Sequence, residues 1–297
     1  MIRNEMPQDS VSISAPFAFC GNRFFVLEEM LAAGLKVPFI AAVTGSHLER
    51  ELQHRQIDYT SIASRDGFRE WLSRSDFRFF VSNGCPYRVP SDEIASGKCF
   101  INVHPSYLPD LRGTDPVPGA VLFGRDGGAT CHLMDENLDT GAIVAQIRIP
   151  FTPDLDSILL YQLSFLAEKE VFREALKKEF LPMGAQRVGI DDLYFTKQAS
   201  DLQLDFSQPA GAIVRRVRAF CNRSQGAYFM SGESLFRTFD AEVVDNPFLV
   251  ARRHLFADRA IVFNVEKTLV VRLGDEFIKL KAVEGQLSLI PPGTMLA

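Results

Sequence analysis

Short apolar runs separated by longer polar segments mark the first half of the chain. The runs cover 17–19, 37–43, 77–81 and 99–103, and they are rich in β-branched or aromatic residues. Segments long enough for helices lie between them, and Gly34 supplies a stop for the first helix. This alternation predicts an α/β fold, with a Rossmann-like, mostly parallel sheet covered by helices on both faces.

The middle of the chain continues this pattern with two further strands and a long helix. Residues 130–149 read as strand, loop and strand, with 135–141 as the loop. The segment 156–180 places leucines and phenylalanines at helical spacing, and Asp154 or Asp156 is suited to cap its start. We therefore predict a long amphipathic helix after the second of these strands.

The last third of the chain has a different character. A linker-like segment, 197–201, precedes a helical stretch over 207–221. Residues 227–282 then alternate short apolar runs with turn residues, which is typical of a small β barrel. We predict two domains, a Rossmann-like domain over 1–196 and a smaller, β-rich, OB-like domain over 203–297.

Composition narrows the class of protein. The 297 residues are 46% hydrophobic and 23% charged, which is ordinary for a soluble globular protein, and the net charge of -5 gives no general reason to expect nucleic acid as a partner. Glu5 and Asp9 interrupt the first ten residues, so no signal peptide is predicted, and no apolar run is long enough to span a membrane. A cytoplasmic location is expected.

The sequence gives no sign of a metal site or of a dinucleotide site. The five cysteines are scattered without a C-x-x-C pair, so neither a structural zinc site nor a disulfide framework is expected, and we interpret them as free thiols. The turn Gly21-Asn22-Arg23 after the first strand lacks the G-x-G-x-x-G pattern of dinucleotide-binding folds. Metal ligands and nicotinamide cofactors are therefore not predicted.

Two polar residues stand out at the end of the fourth apolar run, and a third follows them in the predicted loop. Asn102 and His104 are two positions apart, so in a strand both side chains point to the same face, at the carboxyl end where sites of α/β sheets gather. Asp139 follows in the predicted loop. An amide, an imidazole and a carboxylate can together stabilise an oxyanion and move protons during acyl transfer. A structural histidine, and a turn role for Asp139 beside Gly141, are the alternatives.

The order and spacing of these residues resemble the signature of the folate-dependent formyltransferase family. The matching positions are Asn102-x-His104-x-Ser106-x-Leu108-Pro109, Arg112-Gly113, Thr130-x-His132 and Leu138-Asp139-x-Gly141. The resemblance implies that Asn102, His104 and Asp139 are the catalytic groups. It also implies that 10-formyltetrahydrofolate donates a formyl group to a primary amine, with no metal and no covalent nucleophile.

Two further segments extend the resemblance. Cys85-Pro86-Tyr87-Arg88-Val89-Pro90 and 134–138 resemble the family's two pterin-facing loops, although Cys85-Pro86 is an unusual variant. The residues that this implies for folate binding are Tyr87, Arg88, Val89, Met134, Asp135, Asn137 and Leu138. Leu204-Asp205-Phe206 resembles the segment that leads into the C-terminal domain of the tRNA and amino-sugar enzymes of the family, with Phe206 where the family has Trp.

The amine acceptor is less well defined than the donor. The family's tRNA enzymes carry a long basic insertion after the second strand, whereas 44–51 is short and of mixed charge here. Residues 203–297 hold 12 basic and 10 acidic residues, too small an excess to bind RNA strongly. A small amine is therefore expected, most similar to the substrates of the amino-sugar N-formyltransferases, with or without a nucleotide.

Five residues are candidates for contact with the acceptor: Ser106, Arg112, Thr114, Asp115 and His132. His132 is equally well interpreted as a structural histidine. Three other functions stay open at this point: a methionyl-tRNA formyltransferase, a hydrolase of 10-formyltetrahydrofolate, and a folate-binding protein without turnover. The sequence also leaves the oligomeric state open, a homodimer included.

Overall fold

The computed structural model describes residues 14–297. The segment on which the signal-peptide prediction rests, with Glu5 and Asp9, lies outside the described residues. The first half of the chain contains seven strands, which form one sheet. They are Phe17–Gly21 (β1), Phe39–Val43 (β2), Thr60–Ile62 (β3), Phe79–Asn83 (β4), Cys99–His104 (β5), Gly127–Leu133 (β6) and Ile143–Ile149 (β7).

Helices separate most of these strands, as the polar segments predict. The described α-helices are Phe25–Ala32 (α1), His47–His54 (α2), Arg65–Arg74 (α3), Ser91–Ile94 (α4), Pro116–Phe123 (α5), Ser157–Lys177 (α6), Ala210–Ala219 (α7) and Pro247–Val250 (α8). Short 3-10 helices cover Ala199–Leu202, Arg253–Leu255 and Leu287–Leu289.

The sheet has the strand order β3-β2-β1-β4-β5-β6-β7. The first five strands of this order pair in parallel, and β6 pairs with β5 in the antiparallel sense. Every residue of β1 and of β4 is buried, as expected for the central strands of a sheet that is covered on both faces. The predicted Rossmann-like, mostly parallel α/β fold is confirmed.

The strand order reverses between β1 and β4, and the two turns that follow these strands fit closely together. A Cβ atom on Gly21 would lie 2.4 Å from the carbonyl oxygen of Asn83. Gly84 has a φ of +73°, and a Cβ there would lie 2.1 Å from Oδ1 of Asn22. Glycine at both positions therefore lets the carboxyl ends of β1 and β4 meet.

The long helix α6 begins where the sequence predicts and ends earlier. Oδ1 of Asp156 accepts a hydrogen bond from the backbone N–H of Leu159 at 2.8 Å, so Asp156 caps the helix. The predicted end was residue 180, but the helix stops at Lys177. Glu179 and Phe180 have φ values of 50° and 58°, and this left-handed backbone cannot continue an α-helix.

The described residues form two compact units that alternate along the chain. The first comprises the described residues up to Arg112, together with 128–148 and 164–192. The second comprises 113–127, 149–163 and 193–297. The C-terminal segment of the second unit thus begins near the predicted boundary, and two earlier segments belong to the same unit. The division into 1–196 and 203–297 stays a prediction.

The C-terminal part of the second unit is built from antiparallel strands, as predicted. These strands are Ala227–Ser231 (β8), Ser234–Thr238 (β9), Asp240–Val244 (β10), Ile261–Val265 (β11), Thr268–Leu273 (β12) and Glu276–Lys281 (β13). Four of them form one sheet in the order β10-β13-β12-β11, and β8 pairs with β9 in a hairpin. Phe206 and Phe229 pack edge to face within its core, so Phe206 keeps the aromatic character of the expected Trp.

Within residues 14–297, no helix combines the length and the apolar character that crossing a membrane requires.

Candidate functional site

Asn102 and His104 lie on β5 and both approach the carboxylate of Asp139, which lies in the loop between β6 and β7. The Asn102 amide nitrogen donates a hydrogen bond to Asp139 Oδ1 at 3.2 Å, and His104 Nδ1 lies 3.7 Å from the same oxygen. The His104 and Asp139 residues are each only 5% exposed. The Asp139 charge is therefore weakly screened by water.

The contacts of His104 define its neutral tautomer. Nε2 lies 3.1 Å from the carbonyl oxygen of Leu111, which can only accept, so Nε2 carries the proton and Nδ1 presents a lone pair toward Asp139. The pKa of His104 is lowered, because the effect of burial is larger than the opposite effects of the Asp139 carboxylate and the Leu111 carbonyl. Near neutral pH the imidazole is therefore uncharged and able to take up a proton at Nδ1.

His132 lies opposite Asn102 in the antiparallel pairing of β5 with β6. Its Nδ1 lies 2.8 Å from the carbonyl oxygen of Leu133 and therefore donates, and its Nε2 lies 3.2 Å from the Asn102 amide nitrogen and therefore accepts. Both ring nitrogens thus have partners in the protein. The side chain supports Asn102, and contact with an acceptor molecule stays a prediction.

The loop that carries Asp139 is held by its own backbone. Asp139 has a φ of 56°, in the left-handed region that few residues other than glycine adopt. The Gln186 side-chain amide donates to the carbonyl oxygens of Asp139 and Gly141 at 2.9 and 2.8 Å. A Cβ on Gly141 would lie 1.8 Å from the Leu133 carbonyl oxygen. These constraints fix the direction of the Asp139 carboxylate.

Buried hydroxyl groups hold the segment that follows His104. Ser106 donates to the carbonyl oxygen of Asp110 at 3.0 Å, and Thr130 donates to the carbonyl oxygen of Ser106 at 2.7 Å. Ser106 is 1% exposed, so its hydroxyl acts within this loop, which also carries Leu111 and so orients His104. Its predicted contact with an acceptor stays a prediction.

A cleft in the first unit opens beside this group. Asn102, His132 and Asp139 lie at its surface, and the other lining residues come from two loops and from the end of β4. All seven residues proposed for folate contact line it: Tyr87, Arg88, Val89, Met134, Asp135, Asn137 and Leu138. The two loops are joined by a hydrogen bond from the Arg88 guanidinium to the carbonyl oxygen of Glu136.

The remaining candidate residues are placed as follows. Arg112 ends the first long segment of the first unit, and its Nε is buried with no hydrogen-bond partner in the described part of the chain. Thr114 and Asp115 belong to the second unit. The Thr114 hydroxyl donates to Asp115 at 2.7 Å and lies within hydrogen-bond distance of the Thr196 hydroxyl at 3.2 Å, so both residues hold the start of the C-terminal segment. Their predicted acceptor contacts stay predictions.

Several residues at the cleft and behind it are absent from the prediction. Ser82 and Ile94 also line the cleft, as does Cys85, which lies in the first predicted pterin-facing loop but was not singled out within it. Gln186 is 47 residues from Asp139 in sequence and belongs to no recognisable motif, so only the fold brings them together. Asn83 had a usable signal, since it ends a buried strand next to the one that carries Asn102.

No group of three or more His, Cys, Asp or Glu side chains in residues 14–297 is arranged to hold a metal ion.

Two family profiles match the chain. The formyl transferase profile covers residues 91–176, and the profile of the formyl transferase C-terminal domain covers 197–287. Methionyl-tRNA formyltransferase of Myxococcus xanthus is 32% identical over 163 residues, which are 52% of this chain and 51% of that protein. The chain thus matches about half the length, or less, of the first curated relatives.

Solved structures show the same fold over more of the chain. One is WlaRD, a sugar 3N-formyltransferase studied with dTDP and 5-N-formyl-THF, with a TM-score of 0.67 and 14% identity over 90% of this chain and 97% of its own. Another is an N-formyltransferase from Helicobacter canadensis in complex with folinic acid and dTDP-3-aminofucose. Its TM-score is 0.66, with 16% identity over 89% of this chain and 98% of its own.

Proposed function

Because the chain belongs to the folate-dependent formyltransferase family, we propose that it transfers a formyl group from 10-formyltetrahydrofolate to a primary amine. The observation that carries this proposal is that Asn102 and Asp139 lie at the surface of one cleft with all seven residues assigned to folate, and that His104 Nδ1 lies 3.7 Å from the Asp139 carboxylate. A reacting carbonyl carbon at this place would have an amide, an imidazole and a carboxylate beside it.

The cleft suits a flat heterocycle. Val89 is 5% exposed and belongs to an apolar cluster against which Tyr87 and Met134 pack, so the two loops offer an apolar surface. Asp135, Asn137 and Asp139 add polar groups at the same cleft. Apolar walls with a few polar groups are typical of ligand sites, and they match a pterin ring, which has two apolar faces and a hydrogen-bonding edge. In this proposal, 10-formyltetrahydrofolate binds in the cleft through its pterin ring and supplies the formyl group.

Each of the three residues has a separate task in this proposal. His104 accepts the proton of the attacking amine at Nδ1, because Nε2 is held by the Leu111 carbonyl. Asp139 stabilises the imidazolium that forms and passes the proton onward, through water, toward the leaving nitrogen. Asn102 donates to the oxyanion. Its amide donates to His132 and Asp139, so one of these hydrogen bonds must be exchanged for the oxyanion.

For the acceptor we favour an amino sugar, free or linked to a nucleotide. The chain shares its fold over nearly the full length of a sugar 3N-formyltransferase and of an N-formyltransferase that was studied with a nucleotide-linked amino sugar. The small basic excess of 203–297 argues against tight binding of tRNA. Methionyl-tRNA stays the second candidate, because the sequence relatives are methionyl-tRNA formyltransferases.

The test is an acceptor screen with purified protein and 10-formyltetrahydrofolate. Nucleotide-linked 3-amino and 4-amino sugars, free amino sugars and methionyl-tRNA are offered separately, and the formylated products are identified by mass spectrometry. We expect turnover with an amino sugar. Turnover with methionyl-tRNA alone would overturn the acceptor assignment. Formate release without an amine would indicate the hydrolase, and folate binding without any turnover would contradict the proposed activity.

A further inference from the structure

A buried polar network lies behind the residues that we assign to catalysis. The Arg23 guanidinium donates to Glu168 Oε1 at 2.7 Å, and the two side chains are 15% and 0% exposed. Asn83, at the end of β4, is fully buried and faces the Glu168 carboxylate. Its amide nitrogen donates to the carbonyl oxygen of Val103 at 3.2 Å. Val103 is the residue between Asn102 and His104.

We propose that Arg23, Glu168 and Asn83 are positioning residues that hold the Asn102–His104 segment of β5 for proton transfer. The Arg23 guanidinium bonds to the Glu168 carboxylate, Asn83 lies beside that carboxylate, and the Asn83 amide bonds to the strand that carries the catalytic groups. This proposal rests on the proposed function, because it assigns the network to that same site.

Stability alone does not account for this network. Replacing a buried ion pair by apolar side chains is often neutral or stabilising, because the charges lose their hydration on folding. Arg23 Nε and Asn83 Oδ1 are also buried without a hydrogen-bond partner among the described residues, which adds to the cost. The pKa of Glu168 is raised, because the effect of burial is larger than the opposite effects of Arg23 and Asn83. The fold therefore carries a cost here that a positioning role explains.

The network is also coupled to His104 through charge. The charged and titratable groups that face His104 are Asp139 in its loop, His132 on β6 and Arg23 in the turn after β1. Arg23 disfavours the protonated imidazole, and Glu168 compensates the Arg23 charge. If the Glu168 charge were removed, Arg23 would be left uncompensated, and protonation of His104 would become harder.

The first test is Glu168→Gln, which keeps the shape of the side chain and removes the charge. We expect kcat to fall about tenfold with both KM values within twofold of the parent, the result for a lost positioning interaction of about 1.4 kcal/mol. We also expect the protonation midpoint of His104, followed by NMR on protein with isotope-labelled histidine, to move to lower pH. His104→Gln assigns the resonance among the five histidines.

The control is Glu29→Gln, a partly buried carboxylate whose ion pairs with Lys169 and Arg173 involve the same helix α6 but do not reach β5. This variant should leave kcat and the His104 midpoint unchanged. The double variant Arg23→Met, Glu168→Met tests the case in which a single change unfolds the protein, and it should keep its melting temperature but lose about tenfold in kcat. Values of kcat within twofold of the parent together with an unmoved His104 midpoint would overturn the proposal. The NMR titration needs no turnover, so it separates failure of this proposal from failure of the proposed function.

A second, independent observation concerns two thiols beside the cleft. The Cys20 thiol on β1 donates to Cys85 Sγ at 3.3 Å, and Cys85 lines the cleft with Tyr87. Cys20 is fully buried, and the hydrogen bond to Cys85, followed by burial, raises its pKa. We infer that Cys20 and Cys85 are a modification site, which a peroxide converts to a disulfide.

The oxidation balances with peroxide as the only added reactant. The half-buried Cys85 sulfur attacks one peroxide oxygen and forms a sulfenic acid, with release of water. The Cys20 sulfur then displaces that oxygen as a second water, and the sulfur–sulfur bond forms. The sulfurs must approach from 3.3 Å to about 2.05 Å, which moves the cleft wall at Cys85 toward β1.

The test is peptide mapping after treatment with hydrogen peroxide. We expect a peptide pair joined through Cys20 and Cys85, a fall of at least threefold in affinity for tetrahydrofolate, and reversal of both by dithiothreitol. Cys85→Ser should lose the cross-link, and Cys131→Ser should retain it. Absence of the cross-link in a protein whose Cys85 has reacted with peroxide, or an unchanged affinity in the cross-linked protein, would overturn this inference.

Discussion

Nδ1 of His104 lies 3.7 Å from Oδ1 of Asp139, while Nε2 of the same ring is held by the carbonyl oxygen of Leu111. The ring is thus anchored on one side and presents its basic nitrogen toward a carboxylate on the other. A proton taken up at Nδ1 would lie beside a negative charge in a buried site, where the attraction is stronger than in water.

This relationship predicts a large loss of activity when either group is changed. His104→Ala removes the proton acceptor and Asp139→Asn removes the stabilising charge, so each should lower kcat by at least about a hundredfold. The formyl-transfer assay measures this directly. His54→Ala, at an exposed position, serves as the matched control and should keep the kcat of the parent. A His104→Ala variant with a kcat within threefold of the parent would contradict the catalytic role of His104.

The lowered pKa of His104 predicts the pH dependence of activity. The neutral imidazole accepts the proton, and burial lowers its pKa below the ordinary value of about 6.5. As the pH is lowered, kcat/KM should therefore stay constant down to about pH 6.5 and fall only below that pH. A profile with a midpoint clearly above 6.5 would contradict the described environment of the ring.

The same shift predicts how stability depends on pH. Between the lowered pKa and about 6.5, the unfolded chain binds a proton at His104 and the folded chain does not, so the free energy of unfolding should increase with pH in this interval. Urea unfolding at several pH values measures the slope. The slope should be smaller in His104→Gln, which has no proton to bind, and equal slopes in the two proteins would refute the prediction.

Gln186 should matter for turnover although it lies outside every motif. Gln186→Ala removes two hydrogen bonds to the backbone that carries Asp139, together worth about 1 to 2 kcal/mol, so we expect a loss of about tenfold in kcat. Gln53→Ala, at an exposed position of α2, is the control. Steady-state kinetics of both variants decide the matter, and equal kcat values would show that Asp139 is held without Gln186.

Gly141 should tolerate no side chain. In Gly141→Ala the new Cβ would lie 1.8 Å from the Leu133 carbonyl oxygen, so the strand or the Asp139 loop must shift, at a cost of about 2 kcal/mol or more. Gly211→Ala in α7 meets no atom closer than 3.7 Å and should stabilise the protein by up to about 1 kcal/mol. Thermal unfolding compares the two, and a Gly141→Ala protein as stable as the parent would disagree with this packing.

Much of the fold could be predicted because its signals are local. Four apolar runs became central strands of the sheet, and the Asp156 cap was recognisable from the residues beside it. The end of α6 was missed by three residues, because the left-handed backbone of Glu179 and Phe180 has no signature in those residue types. The division of the chain between two units depends on contacts between distant segments, which local patterns do not specify.

The site shows the same contrast. The two-residue spacing of Asn102 and His104 on a strand was enough to place them on one face. The groups that hold them come from elsewhere: Asn83 from the neighbouring strand, Glu168 from α6 and Gln186 from the segment after it. These are ordinary polar residues in ordinary sequence surroundings. Only the folded structure distinguishes them from surface residues of the same type.

The alternation of the two units limits how the gene could be recombined. In α5 every residue from Pro116 to Val121 is buried, and this helix packs on α7 of the same unit. A chimera that joined residues 1–192 of this chain to the C-terminal half of a relative would pair α5 with a foreign helix. Functional hybrids should therefore exchange 113–127 and 149–163 together with 193–297, as three linked pieces.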